Sequence, residues 1–228
     1  MSKFWKIAIP VVVVLGVAAF AGWWFFLRDD APPEASLVTR DSTTPVDPSA
    51  TADGAWTVQQ GEEVFAGYRV TELFAGETIK KTAVGRSPAV TGTMTVEGAS
   101  IPSATIEVDM TKLTSDQSRR DNRIKSDGIQ TDQFPTATFA LTQPVTLPAS
   151  PEVGTPVEVS AVGDLTLHGV TKSVTVPLQA RWNGDTIDVA GQAAVVFTDY
   201  AINPPSVGGF VSVDGEGTFE FQLTFVRA

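Results

Sequence analysis

From Trp56 to the C-terminus, apolar and polar residues alternate with a period of two. In "ATIEVDM" the apolar set is Ala104, Ile106, Val108 and Met110, with Thr105, Glu107 and Asp109 between them. "PVEVSAVGDLTLHG" aligns Val157, Val159, Ala161, Leu165 and Leu167, and "KSVTVPLQARW" aligns Val174, Val176, Leu178, Ala180 and Trp182. "DTIDVAGQAAVVF" does the same with Ile187, Val189, Ala193, Val195 and Phe197, and "GTFEFQLTFVRA" with Phe219, Phe221, Leu223 and Phe225. Successive side chains on a strand point to opposite faces, so each segment predicts a strand with one buried and one wet face. That pattern suits antiparallel pairing, and strands of ten residues or more favour a closed barrel over a sandwich. Glu97-Gly98, His168-Gly169, Asn183-Gly184 and Asp214-Gly215 are read as the turns.

Two stretches break this rhythm. "TSDQSRRDNRIKSDGIQTDQFP", Thr114 to Pro135, has no two-residue period and predicts one short helix, capped by Thr114 or Ser115 and ending near Gly128. Before Trp56 the pattern is different again. Ile7 to Leu27 is uncharged and apolar, about 30 Å long as a helix at ~1.5 Å per residue, which matches a hydrocarbon core. Lys3 and Lys6 precede it, Trp23 and Trp24 lie near its far end, and Asp29 and Asp30 follow. Residues 1–28 are therefore read as a single-pass anchor with the C-terminal domain outside the cytoplasm; a signal peptide cleaved near Ala19-Phe20-Ala21 is the rival. Residues 29–54 are rich in Pro, Ser, Thr, Ala and Asp without aromatics, and are read as a disordered linker. Residues 55–228 form the β domain.

Charge and composition narrow the chemistry. The net charge of −10 argues against nucleic-acid binding. The absence of cysteine excludes disulfides, thiolate nucleophiles and cysteine-ligated zinc. No cofactor is expected. With one histidine, His168, no His-based metal cluster is expected either. His168 precedes Gly169 between two strands, so a turn role is favoured over catalysis with Asp164 or Asp199, and nothing resembles a nucleophile elbow. "RRDNRIK" offers Arg119, Arg120 and Arg123 as candidates, with His168, for holding a polar head group. A solvated helix face with a buried Arg–Asp strut is the favoured alternative for that cluster.

The apolar faces leave open whether the barrel is hollow or filled by its own side chains. The residues expected to line a hollow are Val64, Tyr68, Val70, Met94, Val96, Ile106, Val108, Phe139, Leu165, Val176, Val195, Phe197 and Phe221, with Phe210 on a Gly-rich loop as a lid.

"SRRDNRIKSDGIQTDQ", "FPTATF" and "GDLTLHGVTKSVTVPL" together resemble the YceI-like family, and "GYRVTEL", "AVTGTMTVEG" and "PPSVGGFVSV" resemble its membrane-tethered actinobacterial branch. The resemblance covers Trp56 to the C-terminus. It implies an eight-stranded, lipocalin-like antiparallel barrel that holds a long-chain isoprenoid or other amphiphilic lipid in its interior. It implies a binding protein for transport, storage or sensing, against the alternatives of an enzyme acting through His168 or a cell-surface scaffold.

Overall fold

The structure is a computed structural model and describes residues 16, 17, 20, 31–40, 50–74, 79–204, 206 and 211–228. Its strands are β1 (Gly54–Val58), β2 (Phe65–Phe74), β3 (Ile79–Ser87), β4 (Val90–Glu97), β5 (Ser100–Asp109) and β6 (Thr114–Ser115). They continue with β7 (Thr136–Leu141), β8 (Val145–Thr146), β9 (Pro156–Leu167), β10 (Val170–Trp182), β11 (Thr186–Val196) and β12 (Val211–Arg227).

All pairings are antiparallel, and they close into the eight-stranded barrel that the alternation and the resemblance together led us to expect. Twelve strands make eight staves because two staves are each built of two strands, while β6 and β8 are two-residue additions that pair with β3 and β5 and form no stave of their own. β1 and β2 follow one another along β12, pairing Val58 with Phe225 and then Phe65 with Gln222. β3 and β4 follow one another on the next stave, broken at Pro88, a residue that cannot donate to the ladder. β5, β7, β9, β10, β11 and β12 complete the ring, and the β1–β12 pairing shuts it. Trp56, Met94, Leu165, Val189, Leu223 and Phe225 all belong to one buried cluster inside.

Three local expectations are corrected. Asp214-Gly215 is not a turn between strands: it lies within β12, where Val213 pairs with Glu72 and Gly217 with Val70. Three residues of β12 face one of β2 there, so the bulge inserts two residues. An even insertion preserves which side chains point inward. The helix runs Ser118–Arg123 and continues as a wider turn, Ile124–Gly128, ending at the predicted glycine but beginning later than predicted. Its N-cap is Gln117, because Thr114 and Ser115 are drawn into β6 against β3.

The third concerns the expected linker. Residues 31–40 lie against the outside of the barrel, with Val38 only 6% exposed. The carbonyls of Pro32 and Pro33 accept bonds from Arg69 and Arg86 at 2.8 and 2.6 Å, and the Val38 carbonyl accepts one from Arg181. Arg40 clasps Asp188 through two bonds of 2.8 Å. Composition concealed this order because most of the grip falls on backbone carbonyls, which leave no mark in a side-chain pattern. Among the described residues no helix is long and apolar enough to cross a membrane. The predicted span lies outside the described residues except for Gly16, Val17 and Phe20.

Candidate ligand-binding site

The barrel is hollow at one end. A cavity of about 750 Å³ opens between β2, the N-terminal part of β12, the C-terminal end of β11 and the short helix. Its volume falls in the range of sites that enclose small molecules, roughly 300–1,000 Å³. A second space of about 110 Å³ occupies the opposite half, lined by apolar side chains such as Phe139, Trp182, Phe221 and Phe225.

Glycines help to make the room. Tyr68 lies opposite Gly85 in the register, and a Cβ on Gly85 would sit 2.3 Å from the Tyr68 ring. The rings of Phe139 and Phe221 lie over Gly163 and Gly191 in the same manner, at 2.4 and 2.6 Å from the missing Cβ. Each ring can therefore lie along the wall instead of projecting across the interior.

The predicted lining residues divide among these spaces. Tyr68, Val70, Val195 and Phe197 line the large cavity. Met94, Val96, Ile106, Phe139 and Phe221 line the small one. Val64, Val108, Leu165 and Val176 are buried but border neither. Phe210, the expected lid, lies outside the described residues.

Of the head-group candidates, Arg119, Arg120 and Arg123 border the large cavity and His168 does not. Arg120 carries no spare charge. Its Nε and Nη2 donate to the two carboxylate oxygens of Glu72 at 2.7 and 2.9 Å, and Nη1 bonds Ser115 and Asp116. Burial opposes the charge on this guanidinium, but the bonds to Glu72 and Asp116 outweigh it and hold Arg120 more firmly protonated than an ordinary arginine. The predicted Arg–Asp strut is thus chiefly an Arg–Glu strut, tying the helix to β2. Asp121 instead accepts from the Ser115 amide and hydroxyl, at 2.9 and 2.6 Å. Arg123 donates to the Ser206 carbonyl at 2.9 Å. Arg119 is exposed at the mouth and makes no ion pair among the described residues.

Glu72 was missed by the sequence reading although its signal was present. The alternation that gave Tyr68 and Val70 continues through Glu72 and Phe74, both of which line the cavity. A carboxylate on an otherwise apolar face was the mark of a buried partner for one of the arginines.

Three buried side-chain polar atoms lack a hydrogen-bond partner among the described residues, Tyr68 Oη, Tyr200 Oη and His168 Nε2, and of these residues Tyr68 alone borders the large cavity. Burial pushes its phenol above the ordinary range, so it is a neutral donor facing the cavity.

His168 turns the chain. It has φ 51°, Gly169 has φ 73°, and Leu167 pairs with Val170 across them, the two-residue hairpin in which both central residues require positive φ. Its Nδ1 lies 3.0 Å from the Tyr200 carbonyl, to which it donates, and Phe134 packs on the ring at 4.3 Å between centroids. Neither Asp164 nor Asp199 hydrogen-bonds the ring among the described residues.

The YceI-like domain family matches residues 36–225. The chain belongs to the YceI-like family. A UPF0312 protein of Vibrio campbellii is 33% identical over 118 residues, covering 49% of this chain and 58% of that protein. A Vibrio cholerae UPF0312 protein is 29% identical over 119 residues, 49% of this chain and 59% of its own. The chain thus spans less than two thirds of the length of the curated relatives it matches. Among solved structures, a polyisoprenoid binding domain from Saccharophagus degradans superposes with a TM-score of 0.59 at 16% identity, covering 76% of this chain and 98% of that one. Burkholderia cenocepacia BcnA superposes at 0.52 with 17% identity, covering 69% and 95%. At such identities the likeness is one of fold. The YceI-like barrel here keeps that fold with an open cavity at the helix end.

Proposed function

We propose that this YceI-like chain binds a long-chain isoprenoid or related amphiphilic lipid in its large cavity, and carries, stores or senses it while tethered to a membrane on the extracytoplasmic side. The observation that carries the reading is the open cavity of about 750 Å³, bordered by apolar side chains such as Val70, Phe74, Val195 and Phe219, with Arg119 at its mouth making no ion pair among the described residues. Each methylene taken out of water contributes ~0.8 kcal/mol, so a few isoprene units supply several kcal/mol before ordering costs. Arg119 suits a polar or anionic head left at the mouth, while Arg120 is already satisfied by Glu72.

The fold shared with a polyisoprenoid binding domain supports the ligand class. Binding without catalysis is favoured by the bonding of His168 to a backbone carbonyl, away from the cavity lining. The tether, and with it membership of a membrane-tethered branch, is supported by the apolar run Ile7 to Leu27 with lysines before it and aspartates after.

The test is organic extraction of the purified full chain followed by mass spectrometry, with a saturable binding titration of the extracted species. A stoichiometric amphiphile that rebinds is expected. Preparations free of any amphiphile that also fail to bind isoprenoids of graded length would overturn the reading.

A further inference from the structure

The strap formed by residues 31–40 has a direction. Its first contacts, Pro32 and Pro33, meet Arg69 and Arg86, both bound to Glu220, which is fully buried beneath them. Glu220 pairs with Gly67, and Gly67 with Arg86, so this contact lies at mid-height on the wall. Its last contacts are Val38 on Arg181 and Arg40 on Asp188, which pairs with Thr224 near the end opposite the mouth. Traced in chain order, residues 31–40 descend the outside of the barrel away from the cavity. Ala31 is thus at the end of the strap nearer the mouth and Arg40 at the end farther from it.

We propose that this strap holds the barrel with its cavity mouth turned toward the bilayer, so that the partner of the mouth is a lipid membrane surface and the amphiphile is exchanged with it directly. The proposal rests on the anchor reading of residues 7–27 given above. Under that reading Leu27 is the last apolar residue of the span and Pro32 the first pinned to the barrel. Five residues of fully extended chain reach at most ~18 Å. From Arg69 to the mouth rim at Phe74 is five residues of strand, ~17 Å at ~3.3 Å each. From Thr218, the register partner of Arg69, to the opposite rim at Arg227 is nine residues, ~30 Å on the same measure. A leash this short reaches the membrane with the mouth facing it. Presenting the opposite end requires the chain to reverse direction and to cover more than its full length. The linker then acts as a clamp that sets orientation and does not act as a long spacer.

The described residues supply a matched pair of probe sites. Val196, at the mouth end of β11, is 43% exposed, and Val153, beside Trp182 at the other end, is 41% exposed. The chain contains no native cysteine, so Val196→Cys and Val153→Cys can each carry a single fluorophore. The full chain is reconstituted into phosphatidylethanolamine–phosphatidylglycerol vesicles containing a headgroup-labelled quencher lipid. Several-fold stronger quenching at position 196 than at 153 is expected. A Gly/Ser insertion of about ten residues after Asp30, adding up to ~35 Å of reach, should erase that difference while the chain stays on the vesicles. Equal quenching, or stronger quenching at 153, on vesicle-bound protein overturns the orientation and leaves the anchor standing. Protein that does not remain with the vesicles overturns the anchor, and the orientation with it. A difference that persists through the insertion shows that the strap does not set it, and also overturns the proposal.

Discussion

Replacing Arg120 by leucine tests whether the rim helix is held by one ion pair. In the native barrel Glu72 has Arg120 as its partner through bonds of 2.7 and 2.9 Å, and the two side chains are 10% and 11% exposed. The variant leaves that carboxylate enclosed without its two-bond partner, with Lys81 the cation across from it on β3. Breaking a buried pair from one side costs ~3–5 kcal/mol, and water in the neighbouring cavity should place this case at the lower end, about 3 kcal/mol. Against a domain stability of roughly 5–15 kcal/mol this is a large fraction. At roughly 2–4 °C per kcal/mol for a domain of this size, it lowers Tm by about 6–12 °C. The double variant Arg120→Leu with Glu72→Leu removes both charges and should return to within about 1 kcal/mol of the native protein. Urea titration followed by far-ultraviolet circular dichroism measures all three proteins. A single variant costing less than about 1 kcal/mol, or a double variant no more stable than the single one, would refute the reasoning.

Three further outcomes follow from particular contacts. Tyr68→Phe deletes a buried hydroxyl without a partner among the described residues and should raise the stability of the empty barrel by about 1 kcal/mol, while weakening any ligand whose polar atom bonds there; a loss of stability in the empty protein would contradict this. His168→Asn should leave ligand binding nearly unchanged and cost less stability than His168→Ala, because asparagine tolerates positive φ while both variants lose the ring's contacts with Tyr200 and Phe134, whereas alanine adds about 1–2 kcal/mol of backbone strain; loss of ligand binding in the asparagine variant would argue against a turn role. Burial opposes the charge on Asp188, but bonds from Arg40, Thr224 and Asn183 prevail and hold its carboxyl below the usual carboxylate range. A depressed value means that the carboxylate's contribution is complete above the unfolded value of about 3.9 and fades only below it. The anisotropy of a label at Glu34→Cys should accordingly stay constant from neutral pH to about pH 5 and drop below about pH 3.9; a drop near pH 6 would show that another group governs the strap.

The barrel was legible because its long strands each bury one face, and period two is the strongest mark a half-buried strand leaves. Tyr68, Val70, Val195 and Phe197 follow directly from it. Which of the inward residues border empty space was not legible, because Leu165 and Val176 share the same alternation and differ from them only in what stands across the interior. The helix was placed by the break in that alternation, but its start was not, since the pairing of Thr114 and Ser115 with β3 is a long-range contact. Asp214-Gly215 carries a turn dipeptide, and only the strands on either side turn it into a bulge. The strap was hidden for a similar reason: Arg40 gains meaning only beside Asp188, which lies 148 residues later.

The shut seam of the barrel also fixes when folding can finish. Arg227 donates to the Thr51 carbonyl, 176 residues earlier in the chain, and β12 is the stave that joins β11 to both β1 and β2. A ribosome or translocation pore delivers this polypeptide from its N-terminus, so the first staves wait with an unpaired edge until β12, after all the other strands, has emerged. Contacts so distant in sequence are formed late and slowly. Losing Phe225, Val226 and Arg227 would therefore remove every β1–β12 pair and open the seam at that end, while β2 stays paired along β12 as far as Gln222.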